Sequence, residues 1–341
     1  MAKIPQVVAD SQFHRQLTDL GYDLRYRGKV GELYSTGRNG QVLMVRSDRL
    51  SIYDFVLPVI VPKKGEVLIA LTHYWLTEVF PDIPNHLLAW GGQTERWSDA
   101  GWNPEDVAKL PLERTILVEQ CKIWPYEMVY RAHIGGSVWK QYLEDGTAGG
   151  NQLPPGLSKW QKLDAPIFTP TSKAETGHDI AMSVSDYIAR TSESGTKLAA
   201  ICRNIYEEAY RHAAEHGILI LDTKFEISPS GRLVDEVLTP DSSRFTTTED
   251  LATAIKEGRD PVFYDKQPVR DWGSTVKTPW GVGLQHLDPA NNVHLAFVSM
   301  LVIPASVIGE TTTRYLDIFN RITGMDLPTY QLEMMQIPNL G

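Results

Sequence analysis

The sequence predicts an α+β fold in which antiparallel hairpins are combined with amphipathic helices. Residues 218–227 alternate, with Asp222, Lys224 and Glu226 on one face and mostly apolar side chains on the other, and Pro229, Ser230 and Gly231 supply a turn after them. Residues 27–46 form a second pair of strand-like segments around Gly40. Residues 304–323 carry apolar side chains at helical spacing and end at Gly324. A chain of 341 residues is long enough for two lobes or for one large domain with insertions.

Composition excludes several classes of protein. The formal net charge of −9 and the lack of a basic stripe argue against binding to nucleic acid through its phosphates. No apolar run reaches the length of a membrane helix, and the first residues do not resemble a secretion signal. Two cysteines, Cys121 and Cys202, fit a reducing compartment. We therefore expect a cytoplasmic globular protein without a membrane partner, present as a monomer or small homo-oligomer.

The first hairpin carries Lys29 between Gly28 and Gly31. Glycines allow a backbone to approach a ligand closely, and a lysine between them can reach a nucleotide phosphate. The segment matches neither of the established glycine-rich phosphate motifs, so an ordinary edge strand with glycines remains an alternative.

The following residues predict alternating strands and helices. Residues 55–61 are an apolar strand, and residues 69–80 have helical spacing that ends before Pro81. Residues 90–104 show little periodicity and predict an exposed loop. Residues 115–121 and 122–131 are further strands, with Pro125 as a possible hinge.

Two glycines precede Ser137, where a helix is predicted to begin near Val138. A helix N-terminus offers free N–H groups and the positive end of the helix dipole to an anion. The alternative is a plain serine cap. A helix from Ser194 to Gly217 and another over residues 247–257 are predicted as scaffold.

A long connection over residues 144–177 leads to a cluster of titratable side chains. Loops of this length within a compact domain are often functional. The connection delivers Lys173, Glu175, His178 and Asp179. A solvated surface loop is the alternative.

The charged hairpin at residues 219–244 is the strongest candidate site. If the hairpin is symmetric about Ser230 and Gly231, Glu226 lies directly across from Asp235. Facing carboxylates destabilise a strand pair, so this arrangement favours a bound Mg²⁺ that also contacts substrate phosphates. The alternative is a solvated face whose charges are balanced by Lys224.

Several segments, in order, resemble the SAICAR synthetase family. PYEMVYRAHIGGS (125–137) and LILDTKFEIS (219–228) resemble its two signatures, and GKVGELY, SDRLSIYDF, FTPTSKAETGHD and DEVLTPDSSRF resemble its other blocks. The resemblance implies a two-lobed architecture of the ATP-grasp or kinase-like kind, with a nucleotide cleft between the lobes. We expect residues 1–120 to form a β-rich ATP-binding lobe and residues 121–341 an α+β lobe with the metal hairpin and the substrate site.

The resemblance also implies an ATP-dependent ligase that phosphorylates the carboxylate of a CAIR-like ribonucleotide and then joins it to L-aspartate, with ATP and Mg²⁺ as cofactors. The residues it implies serve catalysis (Lys224, His178, Asp179), ATP binding (Gly28, Lys29, Glu226), metal binding (Glu226, Asp235) and the other substrates (Asp48, Arg131, Ser137, Lys173, Ser243, Arg244). Among them, Arg131, Ser137 and Arg244 are expected to bind the ribonucleotide phosphate. For the amine substrate, we expect Lys173 and His178 to provide a cation and a base and Asp179 to orient one of them.

The sequence departs from the family pattern at Gly31, Thr246 and Ile180-Ala181, and residues 273–299 do not match it. These differences bear on the identity of the substrates. A related ligase with a different heteroaromatic carboxylate or amine, a small-molecule kinase and a non-catalytic nucleotide-binding protein therefore remain as alternatives.

Overall fold

The computed structural model describes residues 3–9, 12–173 and 180–338, which divide into two compact units. The first comprises the described residues of Met1–Glu78, His86–Cys121 and Asp265–Gly341, and the second comprises Val79–Asn85 and those of Lys122–Tyr264. Each unit combines an antiparallel sheet with helices, which confirms the α+β class. The expected division of roles between an ATP-binding lobe and a substrate lobe stays a prediction.

The first unit is built on a five-stranded antiparallel sheet. Its strands, in spatial order, are Asp23–Arg27, Gly31–Ser35, Gln41–Arg46, Thr115–Glu119 and Leu87–Trp90. A separate hairpin pairs Arg49–Ile52 with Phe55–Ile60. Tyr53 and Asp54 form its two-residue turn, and both have left-handed backbone angles, as a tight hairpin turn requires.

The C-terminal part of the chain packs on that hairpin. Val269, Leu284 and Val298 share a buried apolar cluster with Leu50 and Phe55. The helices of this unit are Gln6–Ala9, Gln12–Asp19, Lys64–Tyr74 (continued as a π-helix over Trp75–Val79), Thr94–Asp99, Pro104–Val107, Gln267–Thr275, Asn292–Ser299, Ala305–Thr323 and Leu327–Glu333, with a 3₁₀ turn at Leu284–His286. A small hairpin pairs Lys277–Thr278 with Gly281–Val282.

The second unit is organised around the strand Ile218–Ile227, which we call the central strand. It pairs antiparallel with Tyr126–His133, the signature strand, and with Ser243–Thr247 and Leu233–Val234. The signature strand also pairs with Lys162–Phe168 and Thr171–Ser172, and Thr171–Ser172 pairs with Ile180–Ala181. These seven strands form one sheet. A further hairpin joins Thr147–Ala148 to Asn151–Gln152.

In the part of the second unit that the structure describes, three helices complete the fold: Ser137–Asp145, Val184–Glu215 and Thr248–Glu257. Ser192 has a non-helical backbone and divides the longest of them, so that its second half begins close to the predicted start at Ser194. Thr248–Glu257 confirms the capped helix predicted over residues 247–257, with Thr247 capping it through its side chain. Gly258 ends this helix in a left-handed conformation. Among residues 3–9, 12–173 and 180–338, no helix is long and apolar enough to cross a membrane.

Two local predictions for the first unit need correction. The helix expected over residues 69–80 is present and ends before Pro81, but it begins earlier, at Lys64, because the Asp48 carboxylate accepts a hydrogen bond from the Gly65 amide at its first turn (2.8 Å). Residues 90–104 are not an exposed loop. They contain the helix Thr94–Asp99, and Trp97 and Trp102 are buried.

Candidate active site

Charged side chains share one face of the second unit's sheet. Asp222 pairs with Arg131 across the central and signature strands, and Lys224 pairs with Val129 in the same register. Side chains two residues apart point to the same face of a strand. Asp222, Lys224 and Glu226 on one strand therefore lie on the same face as Arg131 and Glu127 on the other. The alternation of side chains along the sequence predicted the shared face of Asp222, Lys224 and Glu226. The pairing of the two strands brings Arg131 and Glu127 beside them.

Asp222 holds two guanidinium groups. Its Oδ2 atom forms an ion pair with Arg131 on one side and with Arg244, its partner on the neighbouring strand Ser243–Thr247, on the other. The Asp222 and Arg131 side chains are about nine-tenths buried, and that of Arg244 is one-quarter exposed. One buried carboxylate thus positions the two arginines that the sequence assigned to a substrate phosphate.

Arg131 links these residues to the N-terminus of the helix Ser137–Asp145. Its Nε donates to Thr169 Oγ1 at 3.0 Å, and its Nη2 donates to Ser137 Oγ at 3.3 Å. Ser137 is the first helical residue, and Gly136, which makes no side-chain cap bond, precedes the helix. The hydroxyl is therefore not the plain helix cap considered as the alternative.

Gly136 is required at its position for a steric reason. It has a φ of 63°, and a Cβ atom there would lie 2.5 Å from Nη1 of Arg244. The glycine lets the Arg244 guanidinium approach the helix N-terminus. Two guanidinium groups, a hydroxyl and the positive end of a helix dipole are groups that bind a phosphate monoester.

Ser243, also predicted to bind substrate, has a different environment. Its hydroxyl is 2.7 Å from that of Thr223, its cross-strand partner, and both residues are buried. Because Thr223 and Asp222 are consecutive in the strand, this pair points to the opposite face of the sheet from Asp222.

The predicted pairing of Glu226 with Asp235 is wrong by one residue. Glu226 pairs with Val234, because the turn is centred on Ser230 and closes with a hydrogen bond from the Ser228 amide to the Arg232 carbonyl (2.9 Å). Asp235 follows the strand with a left-handed φ of 64°, so it departs from the alternation of side chains.

The two carboxylates nevertheless interact. Burial, followed by the charge of Asp235, raises the pKa of Glu226 above its ordinary value. Lys173 opposes this effect, with its Nζ atom 2.5 Å from Oε2 of Glu226. The structure thus gives Lys173 an acidic neighbour, whereas the sequence assigned it to the amine substrate. His178 and Asp179, its companions in that prediction, lie outside the described residues.

Lys224 donates from Nζ to Oε1 of Glu127 at 2.8 Å. Burial acts to lower the pKa of Lys224, but the charges of Glu127, Glu226 and Asp235 outweigh it, and the net pKa is raised. The other Glu127 oxygen accepts from the Thr171 hydroxyl at 2.8 Å. Lys224 is therefore a fixed ammonium group surrounded by three carboxylates.

The first unit carries the predicted nucleotide residues in a tight loop, residues 28–31, which we call the glycine loop. The Gly28 amide donates to the Gly31 carbonyl at 2.8 Å, and Lys29 forms an ion pair with Asp54. A Cβ atom at Gly31 would lie 2.2 Å from Nη1 of Arg46, so the Arg46 guanidinium occupies the space beside this residue. The Asp48 carboxylate lies 3.3 Å from Nη1 of Arg114 and also accepts a hydrogen bond from the Gly65 amide. Asp48, which the sequence assigned to substrate binding, therefore contacts other parts of the protein.

Sequence reasoning missed Glu127, Asp222 and Asp54 as site residues. Glu127 precedes Arg131 by four residues on the signature strand, so the period of two was a usable signal that they share a face. Asp222 was identified only as a face residue, because its arginine partners come from other strands.

Within residues 3–9, 12–173 and 180–338, no three His, Cys, Asp or Glu side chains are grouped as a complete metal site.

The chain is similar to known proteins over most of its length. Residues 24–287 match the family model described as SAICAR synthetase. A phosphoribosylaminoimidazole-succinocarboxamide synthase of Aromatoleum aromaticum is 37% identical over 88% of this chain and 94% of its own length. The protein of that name from Corynebacterium diphtheriae is 38% identical over 87% of this chain and 92% of its own.

A solved structure shares the fold. The SAICAR synthase of Saccharomyces cerevisiae, solved as a complex with SAICAR, has a TM-score of 0.71 and 30% identity. The match covers 94% of this chain and 99% of that chain.

Proposed function

Because this chain belongs to the SAICAR synthetase family, we propose that it joins the carboxylate of 5-amino-1-(5-phosphoribosyl)imidazole-4-carboxylate (CAIR) to the amine of L-aspartate. The reaction consumes ATP and gives SAICAR, ADP and phosphate, a step of de novo purine biosynthesis. A carboxylate oxygen of CAIR attacks the γ-phosphorus and ADP leaves. The aspartate amine then attacks the acyl carbon, the C–N bond forms as phosphate leaves, and the amine loses a proton.

The observation that carries this proposal is the order of charged groups along the central strand. Asp222 with its two arginines comes first, Lys224 follows, and Glu226 comes last on the same face. With a rise of about 3.3 Å per residue, adjacent members are about 7 Å apart. This order matches a ribonucleotide that has its phosphate at one end and a reacting carboxylate at the other.

Arg131, Arg244 and Ser137 bind the ribonucleotide phosphate in this proposal. Their geometry supports it, because Asp222 and the helix N-terminus hold the two guanidinium groups and the hydroxyl in place before substrate arrives. Preorganised charge-assisted contacts of this kind bind phosphate without further ordering cost.

Lys224 is the proposed catalytic residue for activation of the carboxylate. Its raised pKa keeps it an ammonium ion at neutral pH, and its bond to Glu127 fixes its position. A fixed positive charge draws two anions, the carboxylate and the γ-phosphate, together and stabilises the charge that develops between them.

Glu226 and Asp235 fit a Mg²⁺ ion that is held by two carboxylates and completed by ATP phosphates. After burial, the charge of Asp235 is the main cause that raises the pKa of Glu226, so the two carboxylates lie close together. Bound Mg²⁺ would neutralise phosphate charge during transfer. Lys173 stabilises the same carboxylates by its contact with Glu226.

The glycine loop binds ATP phosphate in this proposal, with Gly28 allowing close approach and Lys29 exchanging its contact with Asp54 for a phosphate oxygen. Lys173, His178 and Asp179 are proposed to serve the amine substrate, with His178 as base. The low cysteine content, two in 341 residues, supports a cytoplasmic location.

ADP release measured across a matrix of carboxylates and amines tests the proposal. We expect release that requires both CAIR and L-aspartate, together with SAICAR as the product by mass spectrometry. Release with a different heteroaromatic carboxylate or a different amine would identify a related ligase. Stable phosphoryl transfer without any amine would identify a small-molecule kinase.

A further inference from the structure

The carbonyl groups of the glycine loop are held by two side chains to which the proposed reaction assigns no role. The Ser47 hydroxyl donates to the Val30 carbonyl at 2.8 Å, and the Ser47 amide donates to the same oxygen at 2.9 Å. Arg49 donates from Nε to the Lys29 carbonyl at 3.2 Å and from Nη2 to the Gly28 carbonyl at 3.4 Å. The carbonyls of Gly28, Lys29 and Val30, three consecutive residues, therefore all accept hydrogen bonds from Ser47 or Arg49.

Arg49 is itself firmly anchored. It is 1% exposed, and its Nη1 atom lies 2.8 Å from Oε1 of Glu32, a buried carboxylate that also pairs with Arg27 at 2.9 Å. The guanidinium thus uses all three of its nitrogens, one on Glu32 and two on the loop. A lysine ammonium cannot reproduce this planar fork.

Holding the carbonyls has a consequence for the amides. A carbonyl oxygen turned toward a nucleotide phosphate would repel it, whereas consecutive amide N–H groups form a concave site that attracts anions. Within residues 3–9, 12–173 and 180–338, the amides of Lys29 and Val30 donate no hydrogen bond. Ser47 and Arg49 bind the carbonyls and leave these two donors available.

The hairpin that carries Arg49 also supplies the partner of the Lys29 side chain. Arg49 begins its first strand, and Asp54 lies in its turn and forms an ion pair with Lys29. Backbone and side chain of the loop are thus oriented by the same hairpin.

We propose that Ser47 and Arg49 are positioning residues for the nucleotide, which fix the glycine loop so that the Lys29 and Val30 amides face the ATP phosphates. This inference rests on the proposed binding of ATP by the loop. It assigns a role to the Ser-Asp-Arg segment, in which Ser47 and Arg49 hold the loop while Asp48 binds the helix Lys64–Tyr74 through Gly65.

The test compares Arg49→Lys and Ser47→Ala with Arg27→Lys. Arg27 contacts the same Glu32 but makes no recorded hydrogen bond to the loop carbonyls, so its variant perturbs the buried ion pairs alone. Arg49→Lys loses two hydrogen bonds donated by a guanidinium group, and we expect it to raise the KM for ATP about tenfold or more. Ser47→Ala loses one neutral hydrogen bond, and we expect a rise of about threefold. In Arg49→Lys and Ser47→Ala the KM for the ribonucleotide stays within about twofold of the unmodified protein. Arg27→Lys leaves the KM for ATP and the KM for the ribonucleotide nearly unchanged.

Hydrogen exchange of the Gly28 amide, which donates to the Gly31 carbonyl, gives a second readout, and we expect this exchange to be faster in Arg49→Lys and unchanged in Arg27→Lys. Equal effects of the two arginine variants on the KM for ATP would overturn the inference, because the buried ion pair alone would then explain them. An unchanged KM and unchanged exchange in Ser47→Ala and Arg49→Lys would also overturn it while leaving the proposed function intact. Calorimetry that finds no ATP binding by the unmodified protein would overturn both.

Discussion

Lys224 and Glu127 form a hydrogen-bonded ion pair between the central strand and the signature strand, with 2.8 Å between Nζ and Oε1. The two residues are 97 positions apart in the sequence, so their contact depends on the fold. The pair joins the two segments that most resemble the family signatures. It places a fixed ammonium group on the charged face of the sheet.

Replacement Glu127→Gln is expected to lower kcat by about tenfold or more with KM values changed by less than about threefold, because a charge-assisted bond contributes about 1.5 to 3 kcal/mol. Glu127 is the strongest of the charges that raise the pKa of Lys224. Its loss should lower that pKa, so the alkaline limb of the kcat profile should move to lower pH. Thr171→Val, which removes the other contact of Glu127, is the control. An alkaline limb that does not move in Glu127→Gln would contradict the assignment.

Replacement Glu226→Gln or Asp235→Asn is expected to abolish most activity and most Mg²⁺-dependent affinity for nucleotide without unfolding the protein. Each change removes a carboxylate ligand for the cation. It also relieves the repulsion between Glu226 and Asp235, which, after burial, raises the pKa of Glu226. Asp241→Asn, in the turn that follows, serves as the matched control. Titration of ATP binding at several Mg²⁺ concentrations gives the readout, and near-normal turnover of both variants at low Mg²⁺ would remove the metal assignment.

Replacement Arg244→Ala is expected to raise the KM for the ribonucleotide about tenfold or more, and Ser137→Ala by less, with the KM for ATP unchanged. Asp222→Asn should act in the same direction, because both guanidinium groups contact that carboxylate. Arg203→Ala, on an exposed helical arginine paired with Glu207, is the control. If the KM for ATP moves and that for the ribonucleotide does not, the two ends of the substrate site have been assigned backwards.

Acid is expected to destabilise the second unit through His133, which is 3% exposed. Burial lowers its pKa from 6.5 to about 4. Between these pH values the unfolded chain binds a proton that the folded chain does not, so stability falls as the pH decreases from about 6.5 to 4, by at most roughly 3 kcal/mol from this group.

Urea denaturation at pH 4 to 7 measures this dependence. His133→Asn should have a smaller decrease in unfolding free energy over that range than the unmodified protein, and His216→Gln, at an exposed position, should keep the full decrease. Equal slopes for the unmodified protein and His133→Asn would rule out the contribution of His133.

Features that depend on neighbours along the chain were predictable from the order of the amino acids. The period of two in residues 218–227 placed Asp222, Lys224 and Glu226 on one face, because successive side chains of a strand point to opposite sides. Thr247 marked the start of one helix, and Gly324 marked the end of Ala305–Thr323, because capping satisfies local backbone groups. The ordered motifs indicated the family from the same local information.

The residues that lie across from Asp222, Lys224 and Glu226 were not predictable in this way and follow from the folded arrangement of the strands. The turn centred on Ser230 shifted Glu226 from Asp235 to Val234, since hairpin register depends on turn geometry that composition did not specify. Contacts from distant strands gave Lys224 its partner Glu127 and Asp222 its two arginines. Local spacing cannot encode such pairings, because they arise when the folded backbone brings remote strands side by side.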